Sequence, residues 1–197
     1  MLAGPNGSGK STLAAQLRQT AGGTAGIWIN ADEIAARMRT KSSGNTNYAL
    51  AAAIEADRLR NAALDAGRDL ITETVMSDDR WVLFFEKAKA RGYRIALYFV
   101  TTCDPAINVA RVRERVATGG HDVSEARILA RYARVMEKVL PRVLPLTDKT
   151  YVFDNSSVEA GLDLLAVYAG GAFTLCPAAQ KSHLHGWLTW LIKFTTT

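Results

Sequence analysis

Near the start of the chain, the run Gly4-Pro5-Asn6-Gly7-Ser8-Gly9-Lys10-Ser11-Thr12 satisfies the pattern G-x-x-x-x-G-K-S/T. Glycines at this spacing let the backbone curl with its N–H groups pointing inward, which makes a concave nest for an anion. A helix beginning near Ser11 adds its positive end to that nest. A di- or triphosphate fits such a cradle. Lys10 then reaches the β and γ phosphates as a point charge, and the Ser11 hydroxyl ligates Mg2+. The plain alternative is a flexible Gly/Ser turn ahead of a helix. The apolar positions Leu13, Ala14 and Leu17 follow at once, as a helix entering a core requires.

Carboxylates come next. In Trp28–Ala35 (WINADEIA), Asp32 lies just past a strand candidate, where it can face the γ phosphate and accept the proton of an attacking hydroxyl. Helix capping by Asn30 or Asp32 is the competing role. Glu73 and Thr74 end the apolar run of LITETV, and Glu73 reads either as a site carboxylate or as an ordinary strand-end charge. A third group lies in Ala110–Val135. Arg111 and Arg115 share one helix face, as do Arg127, Arg131 and Arg134 on the next, with a Gly119-Gly120-His121 turn between. Such a helix-loop-helix can fold over a triphosphate, with two or three arginines neutralising charge on the transferred group while the others stay solvated.

These residues must be held by a scaffold. Strands are expected at 27–30, 69–74, 94–100 and 150–154, and helices at 11–19, 32–39, 48–66, 78–91, 105–118, 124–140 and 158–168. Strand-helix alternation predicts an α/β fold: a mainly parallel sheet with helices on both faces. Ligands then gather at the carboxyl ends of the strands, where Asn30, Asp32, Glu73, Thr74, Asp154 and Asn155 fall. Only three residues precede Gly4, so the strand leading into the loop is expected to be cut short by a chain start downstream of the natural one.

At 197 residues and 48% hydrophobic content, one domain is expected over 1–169, followed by an atypical tail over 170–197 to which no function is given. His183 and His185 in that tail lack carboxylate or cysteine company and read as a solvated pair. Two cysteines lack metal spacing and are too few for a disulfide framework. No apolar run approaches a membrane span, and a phosphate loop stands where a secretory signal would be, so a cytoplasmic protein is expected. A net charge of +5 favours anionic partners.

The ordered segments GPNGSGKST, NADEIA, ITET, GYRIALYFV, ARVRERVATGGHDVSEARILARY and VFDNS together resemble the zeta toxin family of small-molecule kinases. The likeness runs from Gly4 to about Ser156. It implies a P-loop NTPase/kinase-like three-layer sandwich, ATP or GTP with Mg2+ as cofactors, and transfer of phosphate to a hydroxyl of UDP-N-acetylglucosamine. An antitoxin protein is the partner it implies. Carried over by position, Lys10 and Ser11 look like the phosphate and magnesium ligands and Asp32 the general base. Glu73 resembles an acidic substrate-site residue, with Thr74 beside it, and Arg111 and Arg131 resemble the arginines that clamp the nucleotide. The chain departs from the family where Val75 stands in place of a threonine. Two other classes stay open: a kinase of nucleosides or nucleic-acid ends, against which no aromatic stacking series accompanies the basic residues, and a non-catalytic nucleotide-binding module.

Overall fold

Alternation of side chains along the strands decides where the layers lie. The computed structural model describes residues 1–20, 26–41, 48–120, 122–159, 161–180 and 185–195. The strands are β1 (Leu2–Ala3), β2 (Ile27–Asn30), β3 (Leu70–Thr74), β4 (Ala96–Thr101), β5 (Lys149–Asp154), β6 (Asp163–Ala169) and β7 (Ala172–Leu175). They form a sheet in the order β2-β3-β1-β4-β5-β6-β7. The first five are mutually parallel, and β6 and β7 are antiparallel. The expected α/β fold with a mainly parallel sheet is therefore the observed one.

Period-two burial sorts the residues into two apolar faces. Ala3, Leu97 and Phe99 point into the larger cluster, while Leu2 and Val100 point into the other. Helix α1 (Lys10–Thr20) covers the second face through Leu13 and Ala14. Helix α4 (Arg80–Ala90) covers the first through Trp81, Val82 and Phe85. The remaining long helices are α2 (Ala31–Lys41), α3 (Tyr48–Asp65), α5 (Pro105–Ala117) and α6 (Glu125–Arg134). Among the described residues no helix is long and apolar enough to cross a membrane.

Two expected helices differ. The one expected over 124–140 runs as α6, then as a π-helical turn at Val135–Val139, then as the short α7 (Leu140–Val143). Pro141 accounts for part of this, because in an unbroken α-helix its ring would press on the carbonyl of residue 137. The wider turn also brings Val135, Met136, Val139, Leu140 and Val143 all into the main core. The helix expected over 158–168 is instead strand β6. Its cue was Gly170-Gly171, which take φ of 58° and 84° as the two-residue turn between β6 and β7. A left-handed pair of this kind is the turn that matches the twist of a hairpin. Beyond it, Leu188 and Leu191 of α8 (His185–Thr195) are buried in the same core as β4 and β5. His185 thus begins a helix, while His183 and His121 lie outside the described residues.

Candidate active site

The register of the parallel strands sets the site. Ala3 lies opposite Thr74, and Asn30 opposite Glu73, so the chain leaves β1, β2 and β3 at one edge of the sheet. From β1 the backbone enters the glycine loop, where Gly4, Gly7 and Gly9 have φ of 146°, 74° and 98°. A Cβ at Gly4 would sit 1.9 Å from the Val100 carbonyl oxygen, and one at Gly9 would sit 2.1 Å from Asn155 Nδ2. Only glycine fits either place.

Two asparagines grip the loop from outside. Asn108 Nδ2 donates to the Asn6 carbonyl at 2.7 Å, and Asn155 Nδ2 donates to the Ser8 carbonyl at 2.8 Å. Asn108 is fully buried, and its Oδ1 accepts from the Thr102 hydroxyl. The sequence gives no sign of either grip on the loop, since each asparagine lies more than 100 positions away from it. Asn155 follows a strand end, which was the one available signal.

Lys10 is buried under the loop, with Nζ donating to the Pro5 carbonyl at 2.9 Å. Burial pushes its ammonium down from 10.5 to about 8. Glu73 and Asp32 pull it back up, and Arg115 and Arg131 push it further down. The sign follows from which form binds phosphate. Charged Lys10 predominates below pH 8, so affinity for a nucleoside triphosphate should fall as pH rises through 8. Binding at about pH 8.5 should take up a proton, because the bound phosphates raise the lysine's pKa again. Calorimetry of nucleotide binding in two buffers of different ionisation enthalpy reads that proton directly, and equal heats in both would contradict the assignment.

Ser11 Oγ donates to Glu73 Oε1 at 3.0 Å, and Asn30 Nδ2 donates to Glu73 Oε2 at 2.9 Å. Both oxygens of Glu73 are therefore engaged beside the loop serine. Asn30 also caps α2: its Oδ1 accepts from the backbone N–H of Asp32 at 2.8 Å and of Glu33 at 3.4 Å. The capping role weighed for Asp32 belongs to Asn30. The Asp32 carboxylate is exposed, lines the cleft, and makes no hydrogen bond or ion pair with the described residues. Thr74 Oγ1 accepts from the Met76 N–H at 3.1 Å, which supports a turn in which buried Met76 takes φ of 58°.

The arginine helices close the other wall. Asp104 caps α5 by accepting from the Ala106 N–H at 2.8 Å, and Pro105 fills its first turn. Of the five arginines on α5 and α6 named from the sequence, Arg111, Arg115 and Arg131 line the cleft. Arg111 Nη1 donates to the Asn155 carbonyl at 2.6 Å, and Arg131 Nη1 donates to Asn6 Oδ1 at 3.2 Å. Arg127 and Arg134 are exposed and off the cleft. Burial, with the charges of Arg127 and Arg134, lowers the Arg131 pKa, while Asp78 and Asp32 oppose that shift. Such a guanidinium gains from an added anion.

Lys10, Ser11, Asn30, Asp32, Glu73, Thr74, Arg111, Arg115 and Arg131 line one cavity of about 680 Å³. The loop fits a triphosphate, because the buried Lys10 ammonium lies beneath it and Arg111, Arg115 and Arg131 line the same cavity. Ser11 with Glu73 offers the hard oxygen donors that suit Mg2+, which keeps most of its waters and adds phosphate oxygens.

Comparison with known proteins gives the family and the shared fold. A family model described as an AAA domain matches residues 1–138. An uncharacterized protein of Haemophilus influenzae is 29% identical over 143 residues, which is 66% of this chain and 88% of that protein. Among solved structures, the AvrRxo1-ORF1:AvrRxo1-ORF2 complex with sulphate ions superposes with a TM-score of 0.66 at 18% identity, over 91% of this chain and 61% of the matched one. The same complex with ATP gives 0.63 at 18% identity, over 91% and 60%. The PezAT chromosomal toxin-antitoxin system of Streptococcus pneumoniae gives 0.56 at 15% identity, over 82% and 68%. This chain spans about three fifths of the matched AvrRxo1 chain. Likeness at these identities establishes the shared fold.

Proposed function

Because the chain belongs to the AAA domain family and its loop, carboxylates and arginines meet in one cleft, we propose that it is a phosphotransferase that moves the γ phosphate of ATP or GTP to an alcohol. The observation that carries this reading is the Asp32 carboxylate, which lines the same cavity as Lys10 and makes no hydrogen bond or ion pair with the described residues. A carboxylate in that place can take the proton of an acceptor hydroxyl.

In this reading the acceptor O–H passes its proton to Asp32 as the oxygen attacks the γ phosphorus. The bond from that phosphorus to the β-γ bridging oxygen breaks, and a nucleoside diphosphate leaves. Lys10 meets the charge that shifts onto the β-γ oxygens, while Arg111 and Arg131 hold the phosphates. Mg2+, held through Ser11 with Glu73 behind it, would supply further neutralisation of phosphate charge. Thr74 and its turn shape the floor on the acceptor side. UDP-N-acetylglucosamine is the first acceptor to try, on the strength of the zeta-toxin resemblance. The fold shared with the PezAT toxin-antitoxin system supports looking for a protein antitoxin as partner. A cytoplasmic location follows from those substrates.

Incubation with γ-labelled ATP, Mg2+ and a panel of alcohols, with label followed by chromatography, tests the reading. Label must leave ATP for an acceptor; if only nucleotide binding is seen across sugars, nucleosides and nucleic-acid ends, the chain is a binding module. The arginines give a finer test. Arg131→Ala should reduce turnover about 10- to 100-fold with a smaller loss of ATP affinity, because its guanidinium meets charge that grows in the transition state. Arg134→Ala, three residues on and off the cleft, should stay close to the parent. Matched losses in the two variants would mean general attraction and no specific clamp.

A further inference from the structure

Beyond Asp32 and Glu73 the cavity continues as a groove between α3 and α4. Residues Arg80, Leu83, Phe84 and Lys87 of α4 line it, spaced by three, four and seven positions so that they share one face of that helix. Ala53, Asp57 and Asn61 of α3 face them. The groove is tied across at each end. Arg80 Nη1 lies 3.1 Å from Asp57 Oδ2 at one end, and Lys87 Nζ donates to Asn61 Oδ1 at 2.8 Å at the other. Seven residues of α-helix separate Arg80 from Lys87, a span of about 10 Å. Between the ties lies apolar surface, with Leu83 64% exposed.

The two cations differ in how firmly they are held. Arg80 lies between two carboxylates, Asp57 and Asp78. Burial alone would raise the Asp78 pKa, but the Arg80 guanidinium holds it below its ordinary value. Releasing Arg80 would leave Asp78 without its ion-pair partner. Lys87 has a different arrangement: its carboxylate partner Asp65, 3.2 Å away, is also held by Arg91 at 2.7 Å. Asp65 therefore keeps a guanidinium when Lys87 turns away, so that change of partner strands no carboxylate. Lys87 is the cation at the far end of the groove that is free to change partner.

We propose that the acceptor is an elongated alcohol bearing an anionic group, phosphate or carboxylate, and that Lys87 reads that group about 10 Å from Arg80 along α4. This rests on the phosphotransferase reading above and adds to it the acceptor class and the residue that selects it. The body of the acceptor lies against Leu83 and Phe84, and its hydroxyl end reaches Asp32. A compact neutral alcohol would fill only the inner end.

The test uses matched pairs that differ only in a phosphate: N-acetylglucosamine 1-phosphate against N-acetylglucosamine, and glucose 6-phosphate against glucose. Affinity is measured by calorimetry with a non-hydrolysable ATP analogue present, and kcat/KM is measured where transfer occurs. The parent should prefer the anionic member of at least one pair by 10-fold or more. Lys87→Glu should collapse that preference to near unity, and Lys87→Arg should restore most of it. A merely structural role for Lys87 would leave the ratio in place while lowering both members together, and that result overturns the proposal. Equal parent affinity within both pairs also overturns it. If the anionic members bind with the expected preference but no label moves, the phosphotransferase reading falls and the assignment of the groove stands.

Discussion

Asp32→Asn should lower acceptor phosphorylation by ~100-fold or more, the usual contribution of a positioned general base, while ATP affinity and melting temperature stay near the parent values. The separation between these readouts comes from Asn30. Its Oδ1 already accepts from the first N–H groups of α2, so the helix start does not depend on the Asp32 side chain. Asparagine keeps the size of aspartate and its hydrogen-bonding reach, and loses the negative charge together with the capacity to take a proton. The carboxylate makes no hydrogen bond or ion pair with the described residues, so its removal strands no buried partner. Measuring transfer, nucleotide binding and thermal unfolding on this one variant isolates chemistry from architecture. Full transfer activity in Asp32→Asn would remove the base from the mechanism.

Lys10→Ala should cost about 10²- to 10³-fold in turnover, as loss of a single preorganised contact to transition-state charge does elsewhere. The chain should nonetheless fold. Lys10 is buried, its one hydrogen bond among the described residues goes to the Pro5 carbonyl, and burial already works against its charge. Taking the ammonium away removes that unfavourable term along with the bond. The variant's far-ultraviolet circular dichroism and melting profile should therefore stay close to the parent's while transfer is lost. Parent-like turnover from folded Lys10→Ala would contradict the phosphate-loop assignment.

How far the sequence reached can be judged residue by residue. The loop was legible because its chemistry is local: Gly4, Gly9, Lys10 and Ser11 are fixed in spacing by the turn they make. The strand ends carrying Asn30, Glu73 and Asn155 were legible from alternation, since parallel strands read as short apolar runs between helices. The division of labour between Asn30 and Asp32 was not, because both residue types cap helices well and only the position of Oδ1 decides. The residues of strand β6 read as helix because their apolar positions also suit a helical face, and the deciding information lies in the Gly170-Gly171 turn that follows. The π turn at Val135–Val139 was out of reach, being a compromise between Pro141 and the demands of a core assembled from distant strands. The groove between α3 and α4 was hidden for a similar reason, since its walls belong to helices that lie on either side of β3 in the chain.

The two asparagines that hold the glycine loop from outside have a thermodynamic consequence. By drawing the Asn6 and Ser8 carbonyls away from the concave side, they turn the N–H groups inward before any phosphate arrives. The entropy lost in ordering a glycine-rich segment is then met during folding, offset by core burial, and is not charged against each binding event. Nucleotide association should accordingly resemble docking to a rigid receptor, with backbone NMR order parameters in the loop already high in the free protein and little changed on saturation. Releasing one clasp with Asn155→Ala would shift that ordering step back onto the ligand, so that weaker affinity appears chiefly as a more unfavourable binding entropy.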